Sequence, residues 1–296
     1  MKDNASILTM YAVTPCHAGS GSSVGVVDLP IQRERHTNWP VIASSGVKGS
    51  MRAHFDKFKG SIENKDQIAH FDSLTKVVFG TDNDKNSEDK SGYAGSLSVS
   101  DAKILAYPMR SNIAPFVWIT SPAVLKRLAK DLKLAGKGDA GNLADLNNLG
   151  ENSAWCLAGD ITDSVLLEDM EVKATAFELN KLLLAFFKGA ERLLIVHDKI
   201  FDYGVSNCTS ITAQIKIDQA TGTTQNGSLR YQEELPPDTL MYCVIFWGDS
   251  HDKAASEKWN TVKKYITCDV MKDFIQIGGD ETCGRGIFEL NWNEGK

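Results

Sequence analysis

The feature that most restricts the fold of this sequence is the spacing of its hydrophobic residues. That spacing changes along the chain between the alternation of a strand and the three-to-four-residue repeat of a helix. Residues 7–14 alternate as a strand does, and apolar side chains then recur at helical spacing from Val47 to Phe58. The main elements predicted in this way are a strand at 7–14, a helix at 45–59, strands at 95–106 and 113–120, a strand at 239–247, a helix at 253–266 and an extended end from 274. Taken coarsely, strand, helix, strand, strand, helix, strand is the order of a ferredoxin-like or RNA-recognition-motif sheet.

Long segments between these elements predict insertions in a single α+β domain that spans residues 1–296. The chain has 296 residues, 42% of them hydrophobic, which is enough for a real core, and length alone would allow one elaborated domain or two. We predict three insertions: a polar, mobile loop at 80–94, a helical excursion at 121–200, and a protruding β-hairpin at 209–238. Within the second insertion the pattern also predicts strands near 165–167 and at 193–197 and a core helix at 176–187. The predicted fold class is therefore α+β, a ferredoxin-like sheet with long insertions.

A small-residue loop followed by an aspartate is the first candidate site. The loop at 19–25 is rich in Gly and Ser, which allow the backbone to approach a ligand closely, although a plain flexible loop has the same composition. Asp28 stands between Val26-Val27 and Leu29-Pro30, a setting too hydrophobic and too stiff for an ordinary solvated linker. We therefore treat Asp28 as a functional candidate, with a structural role as the alternative.

The helix that follows has the features of a phosphate-binding site. Ser44 or Ser45 is expected to be its N-cap, and two glycines leave the first turn bare, so that backbone N–H groups and Lys48 can converge on a phosphate. Arg52 lies four residues after Lys48 on the same face. The alternative is an amphipathic helix with solvated cations. The GxxxxGK[ST] spacing of a nucleotide-hydrolase loop is absent from the sequence, which argues against an ATP site.

The charge distribution excludes a uniformly basic nucleic-acid binder. The net charge is −6, yet residues 31–59 carry six Lys or Arg against two acids. A groove that follows a nucleic-acid backbone on an otherwise acidic protein needs positive charge of this local kind.

The cysteines and the apolar runs indicate a cytoplasmic protein without a membrane partner. Six cysteines are scattered along the chain, with no CxxC pair and no zinc-module spacing, so we expect reduced thiols. The sequence contains no export signal and no run of about 18 apolar residues.

Four blocks of the sequence resemble the backbone RAMP subunit of type III-B CRISPR (Cmr) RNA-targeting complexes. They are GSSVGVVDLPIQRERHTNWPVIASSGVKGSMR, DAKILAYPMRS followed by PFVWITSP, NGSLRYQEELPPDTL, and IQIGGDETCGRGIFEL. The resemblance covers nearly the whole chain in order. It implies a modified RNA-recognition-motif sheet, called the palm, that carries a hairpin called the thumb. Several copies of the subunit are then expected to stack into a helical filament along the guide RNA (crRNA), together with the other subunits of the effector complex.

The same resemblance implies roles for individual residues. Asp28 matches the loop aspartate tied to cleavage of the target single-stranded RNA, and it is the expected ligand of a divalent ion, Mg2+ or Mn2+. His17, Tyr231 and Glu233 map near the same chemistry, but residues 230–234 leave open whether Glu233, Glu234 or Gln232 assists Asp28. The expected RNA-binding residues are Arg33, Arg35, Ser45, Lys48, Arg52 and Arg285.

Two classes of function follow from these expectations. In the first, the subunit is an endoribonuclease that cuts target RNA at regular intervals, because attack by the RNA's own 2′-OH needs mainly in-line positioning and neutralised phosphate charge. His17 can then shuttle protons, although a lone histidine after a strand is more often structural. In the second, the subunit is a catalytically silent scaffold that only grips the guide. An equivalent backbone subunit of a type III-A complex is a further alternative.

Overall fold

The computed structural model describes residues 4–81, 92–251 and 257–293, so most of the loop predicted at 80–94 lies outside the described residues. The strands are β1 Ala5–Ala12, β2 Val41–Ile42, β3 Leu97–Val99, β4 Ala102–Arg110, β5 Phe116–Thr120, β6 Ser153–Ala158, β7 Asp163–Leu167, β8 Met170–Ala176, β9 Leu193–Val196, β10 Ser210–Gln214, β11 Arg230–Glu234, β12 Leu240–Trp247, β13 Phe274–Gln276 and β14 Ile287–Asn293. The helices are α1 Ser44–Lys59, α2 Lys65–Phe79, α3 Pro122–Ala135, α4 Lys181–Leu184, α5 Asp198–Asn207 and α6 Trp259–Lys264, the last continued by a π-helical turn at Tyr265–Val270. No helix in these three described segments has the length and apolar composition needed to cross a membrane.

The palm consists of four antiparallel strands in the order β14-β1-β12-β4. Along the chain, α1 lies between the first and second palm strands, β1 and β4, and α6 lies between the third and fourth, β12 and β14. Numbered within the palm, the strand order is 4-1-3-2, which is the arrangement of a ferredoxin-like or RNA-recognition-motif sheet. The predicted fold class is confirmed.

The two faces of the palm enter separate hydrophobic cores, because successive side chains of a strand point to opposite faces. On one face Leu8 and Met10 of β1 pack in a core with Phe55 of α1. On the other, Ile7 of β1 belongs to a core with Leu125 of α3. RNA-recognition motifs use one open sheet face to stack bases on aromatic side chains. Here α3 covers that face, so a nucleic acid has to be bound by the loops and the hairpin instead.

The segment 121–200, predicted as a helical excursion, consists mainly of strands after its first helix, and two of them, β7 and β9, coincide with the strands predicted near 165–167 and at 193–197. That helix, α3, forms as expected, with Pro122 in its first turn and Gly136 closing it in the left-handed region at φ 68°. The strands β6 to β9 then extend the sheet beyond β5. The apolar run 182–187, predicted to lie in a core helix at 176–187, forms only the short α4 and a 3-10 turn at 185–187. An apolar run this short does not distinguish a helix from other buried segments.

The predicted hairpin is present at 209–238. Strands β10 and β11 form a two-stranded sheet of their own, with Ser210 opposite Glu234 and Gln214 opposite Arg230. Five large apolar side chains of this hairpin are 41% to 55% exposed: Ile211, Ile215, Ile217, Leu229 and Tyr231. We call residues 209–238 the thumb.

Candidate functional site

The strand β11 organises the candidate site, because its two edges bind different parts of the chain. One edge pairs with β10. On the other edge Leu29 pairs in parallel with Gln232, and Cys16 pairs antiparallel with Leu235. Residues 16–17 and residues 28–31, which flank the small-residue loop, are therefore held side by side at the base of the thumb.

Asp28 lies on this second edge of β11, held by its carboxylate. Its Oδ2 accepts a hydrogen bond from the Tyr231 backbone N–H at 2.7 Å. Its own carbonyl accepts the Ser23 N–H at 2.9 Å, which closes the small-residue loop. The apolar setting of this carboxylate is only partial, since Val26 is 91% exposed while Val27, Leu29 and Pro30 are partly buried. A backbone hydrogen bond also fixes Asp28, and the loop before it projects into solvent.

His17 binds the same edge two residues further along β11, a separation of about 7 Å for a strand. Its Nδ1 donates to the carbonyl of Glu233 at 2.7 Å. Because a carbonyl only accepts, Nδ1 carries a proton, and in the neutral ring Nε2 is then free to accept one. The Nε2 lies against Gly19, where an added Cβ would be 2.6 Å away. Glycine at position 19 therefore makes room for the imidazole.

The glycine-rich loop at 278–286 packs on the residues around His17. Gly279 N–H donates to the His17 carbonyl at 2.9 Å, and Gly286 N–H donates to the Pro15 carbonyl at 2.8 Å. Gly286 adopts φ 72°, and a Cβ there would be 1.9 Å from the Ile277 carbonyl oxygen. These glycines therefore shape a tight loop, and the loop supports the histidine.

Glu233 is buried and fully engaged. Its Oε1 accepts from Arg33 Nη2 at 2.5 Å and from the Thr209 hydroxyl at 2.7 Å, while Oε2 accepts the Ile31 N–H at 3.0 Å. Burial raises the pKa of this carboxyl, but the hydrogen bonds from Arg33, Thr209 and Ile31 outweigh burial and hold the pKa below its ordinary value. Because of these contacts Glu233 fixes the segment that contains Ile31 and Arg33, and its carboxylate is not exposed to a substrate. The same contacts also correct the expectation that Arg33 faces RNA, since its side chain is only 15% exposed.

The opposite face of β11 is held by a second ion pair. Glu234 is 1% exposed and its Oε2 accepts from Arg285 of the glycine-rich loop at 3.0 Å. Next to it, Gln232 Nε2 donates to Asp280 Oδ2 at 2.5 Å. Arg285, predicted to bind RNA, therefore connects the thumb to the glycine-rich loop. Glu233 and Glu234 are both engaged, so the described residues offer neither as a free partner for Asp28.

The lowered pKa of Glu233 predicts that the stability of the protein depends on pH. Its folded-state pKa is below the ordinary 4.5, so its contribution to stability is complete above pH 4.5 and is lost as the pH falls through the lower folded value. We expect the difference in melting temperature between the wild type and Glu233→Gln to shrink between about pH 6 and about pH 3. Thermal melts of both proteins across this range measure it. A constant difference would mean that the Glu233 charge does not stabilise the fold.

The start of α1 differs from the prediction in its cap. Helix α1 begins at Ser44, and the residue before it, Ala43, makes no side-chain cap. The Ser44 N–H instead donates to Asp101 Oδ1 at 2.7 Å. An acid from outside the helix thus takes the role that Ser44 or Ser45 was expected to have, and it occupies one of the N–H groups predicted for a phosphate. The Ser45 side chain remains exposed.

The cations of α1 are partly engaged as well. Lys48 Nζ donates to the Leu97 carbonyl at 2.8 Å, and burial, with a smaller effect of the Arg52 charge, lowers the pKa of this amine. Arg52 is half-buried, whereas Arg35 is exposed on the loop before α1. Of the six predicted RNA-binding residues, Ser45 and Arg35 are therefore the two whose side chains are exposed.

A cleft that the sequence analysis missed runs between the thumb and the glycine-rich loop. Its volume is about 750 Å³, and its polar lining residues are Thr212, Gln214, Lys216, Ser228, Arg230, Asp280 and Arg285. The even-numbered strand residues among them share one face of the hairpin. The alternation of residues along the two strands predicts that face of the hairpin. No sequence pattern identifies the glycine-rich loop, 50 to 70 residues further along the chain, as the other wall of the cleft.

The described residues do not form a metal cage. In residues 4–81, 92–251 and 257–293, no group of three or more His, Cys, Asp or Glu side chains is placed to hold a metal ion. Asp28 has one carboxylate oxygen, Oδ1, with no partner among these residues. Mg2+ keeps several waters and is often bound by one or two carboxylates together with substrate phosphates. The site therefore fits a hydrated ion shared with RNA but not an ion held by protein alone.

Known proteins resemble this chain over nearly its whole length. A profile of the RAMP superfamily matches residues 9–289. The chain is 34% identical over 304 residues to the protein named CRISPR system Cmr endoribonuclease Cmr4 of Pyrococcus furiosus, a match that covers 98% of this chain and 96% of that protein.

Solved structures show the same fold. Oligomeric Cmr4 from Pyrococcus furiosus superposes with a TM-score of 0.68 at 25% identity, with 98% of both chains covered. A chain of the type III-B Cmr-beta complex bound to cognate target RNA superposes with a TM-score of 0.74 at 24% identity, covering 97% of this chain and 96% of that one. With most of its length matched in sequence and in structure, this chain belongs to the RAMP superfamily and, within it, to the Cmr4 family.

Proposed function

We propose that this chain is a guide-RNA-binding backbone subunit of a CRISPR effector complex and that it cleaves RNA complementary to the guide. The observation that carries the proposal is the placement of Asp28 and His17 side by side on one edge of β11, at the base of the thumb. The endoribonuclease name of the relative at 34% identity supports the same reaction.

The proposed reaction is attack of the RNA's own 2′-OH on the adjacent phosphate, which forms a 2′,3′-cyclic phosphate. The bond from phosphorus to the 5′ oxygen of the next nucleotide breaks, and that oxygen takes up a proton and leaves as a hydroxyl. Asp28 Oδ1, the oxygen that does not bind Tyr231, accepts a hydrogen bond from the hydroxyl and orients it for in-line attack. The Nε2 of His17 accepts or donates the proton that moves, because Nδ1 is committed to the Glu233 carbonyl. The exposed Tyr231 ring stands beside Asp28 on β11 and limits where the target nucleotide can lie.

A divalent ion, Mg2+ or Mn2+, would be held by Asp28 together with phosphate oxygens of the RNA. When bound there, the ion neutralises the charge that develops on the phosphate. Glu233 is kept out of this role by its contacts with Arg33, Thr209 and Ile31.

The guide is proposed to follow the cleft between thumb and glycine-rich loop and to continue past the start of α1. Lys216 and Arg230 line the cleft, and Ser45, Arg35 and Arg52 lie around α1. These residues are proposed to contact the sugar-phosphate backbone and not the bases, because α3 covers the palm face on which bases would stack. Binding is therefore expected to be insensitive to guide sequence and sensitive to salt.

The proposed partners are further copies of this chain, the guide, the target RNA and other effector subunits. The relative from Pyrococcus furiosus forms an oligomer, and another neighbour is part of a complex bound to target RNA, which supports this assembly. In a helical filament each copy presents one site, so cuts are expected at regular intervals. A silent guide-binding scaffold is the second candidate, favoured by the ion pairs that engage Glu233 and Glu234 and leave Asp28 without a second acid beside it among the described residues.

The proposal is tested by removing the divalent ion. A complex assembled on guide RNA is expected to cut complementary RNA with Mg2+ or Mn2+ and to stop when EDTA is added. Guide binding and melting temperature should stay unchanged, because the described residues form no protein-only metal cage. Gel cleavage assays and thermal melts measure both. Cutting that continues in EDTA would exclude the ion, and a fall in melting temperature would reveal a structural metal.

A further inference from the structure

Arg33 connects three parts of the fold at the base of the site. We call residues 28–34 the strap, because this segment crosses from β11 towards α5. Nη1 of Arg33 donates to the carbonyls of Asn38 at 2.7 Å and Val205 at 2.9 Å, and Nη2 donates to Glu233 at 2.5 Å. The guanidinium thus binds the strap to the end of α5 and to β11.

Glu233 links Arg33 to the part of the strap that is nearer to Asp28. Its second oxygen accepts the N–H of Ile31, which lies three residues after Asp28 on the strap. Between them, Leu29 exchanges backbone hydrogen bonds with Tyr231 and Glu233, and Pro30 restricts the backbone. The register of the strap on β11 is therefore fixed by Tyr231 at one end and by Glu233 at the other.

We propose that Arg33 is a positioning residue for Asp28, acting through Glu233 to hold the strap in register on β11. This inference rests on the proposed cleavage function. If Arg33 loses its charge, Glu233 is left as an uncompensated buried carboxylate. Relief requires the carboxylate to move towards water, which releases the Ile31 N–H and lets Asp28 shift along β11. A shift of about 1 Å in a reacting group costs up to about a hundredfold in rate.

The far end of the strap has independent anchors, so loss of Arg33 is a local change. Glu34 accepts two hydrogen bonds from Arg127 of α3, both at 2.9 Å. Beyond it, Trp39 Nε1 donates to Asp202 of α5 at 2.5 Å. These contacts keep the chain attached to α3 and α5 when the Arg33 pair is removed.

The test compares Arg33→Met with a double variant, Arg33→Met/Glu233→Gln, in the assembled complex. The double variant removes both charges, so it restores the thermal stability lost in the single variant without restoring the guanidinium that holds the strap. Arg110→Met is the matched control, since Arg110 is 73% exposed and its ion pair at 3.1 Å is with Glu168 and not with Glu233. Melting temperature, guide assembly, half-saturating target concentration and single-turnover cleavage rate are measured for each.

We expect Arg33→Met to cut about ten- to hundredfold more slowly with its half-saturating target concentration within about twofold of wild type. The double variant should regain melting temperature but remain at least about tenfold slow, and Arg110→Met should match wild type. A cleavage rate that recovers with melting temperature overturns the inference, as does an Arg33→Met complex that cuts normally. A wild-type complex that binds target without cutting overturns the proposed function and the role of Arg33 together.

Discussion

Replacing Asp28 with Asn is expected to slow target RNA cleavage by about a thousandfold while the complex still binds guide and target. The amide oxygen of Asn can accept the Tyr231 N–H as the carboxylate does, so the loop should keep its place on β11. What is lost is the negative charge that, in the proposed mechanism, orients the 2′-OH and would hold a hydrated divalent ion. Asn removes the charge and keeps the hydrogen bond to Tyr231, whereas Ala would remove both, so Asn tests the catalytic role of the charge more specifically.

Single-turnover cleavage and target binding should be measured on the same assembled complexes. Asp145→Asn is the matched control, because this aspartate lies in the 3-10 turn Ala144–Asn148 of the 121–200 insertion, is exposed, and loses the same charge. An Asp28→Asn complex that cuts at the wild-type rate would make Asp28 structural. The catalytic group would then have to be sought at His17.

Replacing Arg285 with Met is expected to lower the free energy of unfolding by about 3 kcal/mol. Glu234 is 1% exposed, and without Arg285 its carboxylate is buried with only neutral hydrogen-bond partners, Thr212 and Gln232. Leaving one charge of a buried pair uncompensated costs far more than the intact pair contributes. Urea unfolding of the isolated chain measures the effect.

Lys57→Met provides the control in the same loop region. Lys57 pairs with Glu281 of the glycine-rich loop, but both side chains are more than half exposed, at 55% and 53%. Such a pair contributes at most about 1 kcal/mol. If Arg285→Met were as stable as wild type but bound guide RNA more weakly, the original expectation that Arg285 contacts RNA would be right.

The palm could be predicted from the sequence because hydrophobic residues recur in its main strand and helix with the spacing typical of each. The strand predicted at 7–14 and the helix predicted at 45–59 correspond to β1 and α1 within two residues at each end. Helix α3 has a Ser cap, a Pro in its first turn and a Gly at its end, which are local signals. The strands β6 and β8 of the 121–200 insertion were not predicted, because they are short and partly polar and their pairing with each other and with β7 and β9 determines them.

The candidate site was predictable only in part, for a physical reason. Asp28 and His17 could be recognised as neighbours of one loop, but the strand that aligns them is about 200 residues away in the chain. Arg33 and Arg285 look like RNA-binding cations in sequence, because their charge is visible and their partners are not. The partners, Glu233 and Glu234, neutralise them inside the fold. Whether a cation faces solvent depends on such distant contacts.

The central claim is that this subunit cuts the RNA that its guide selects. The most direct measurement is cleavage of end-labelled complementary RNA by the wild-type complex with Mg2+, with products mapped to the nucleotide. We expect evenly spaced products, because each copy in a filament presents one Asp28 and His17 site on its β11 edge. A complex that binds the complementary RNA and yields no products would contradict the claim and establish the subunit as a silent scaffold.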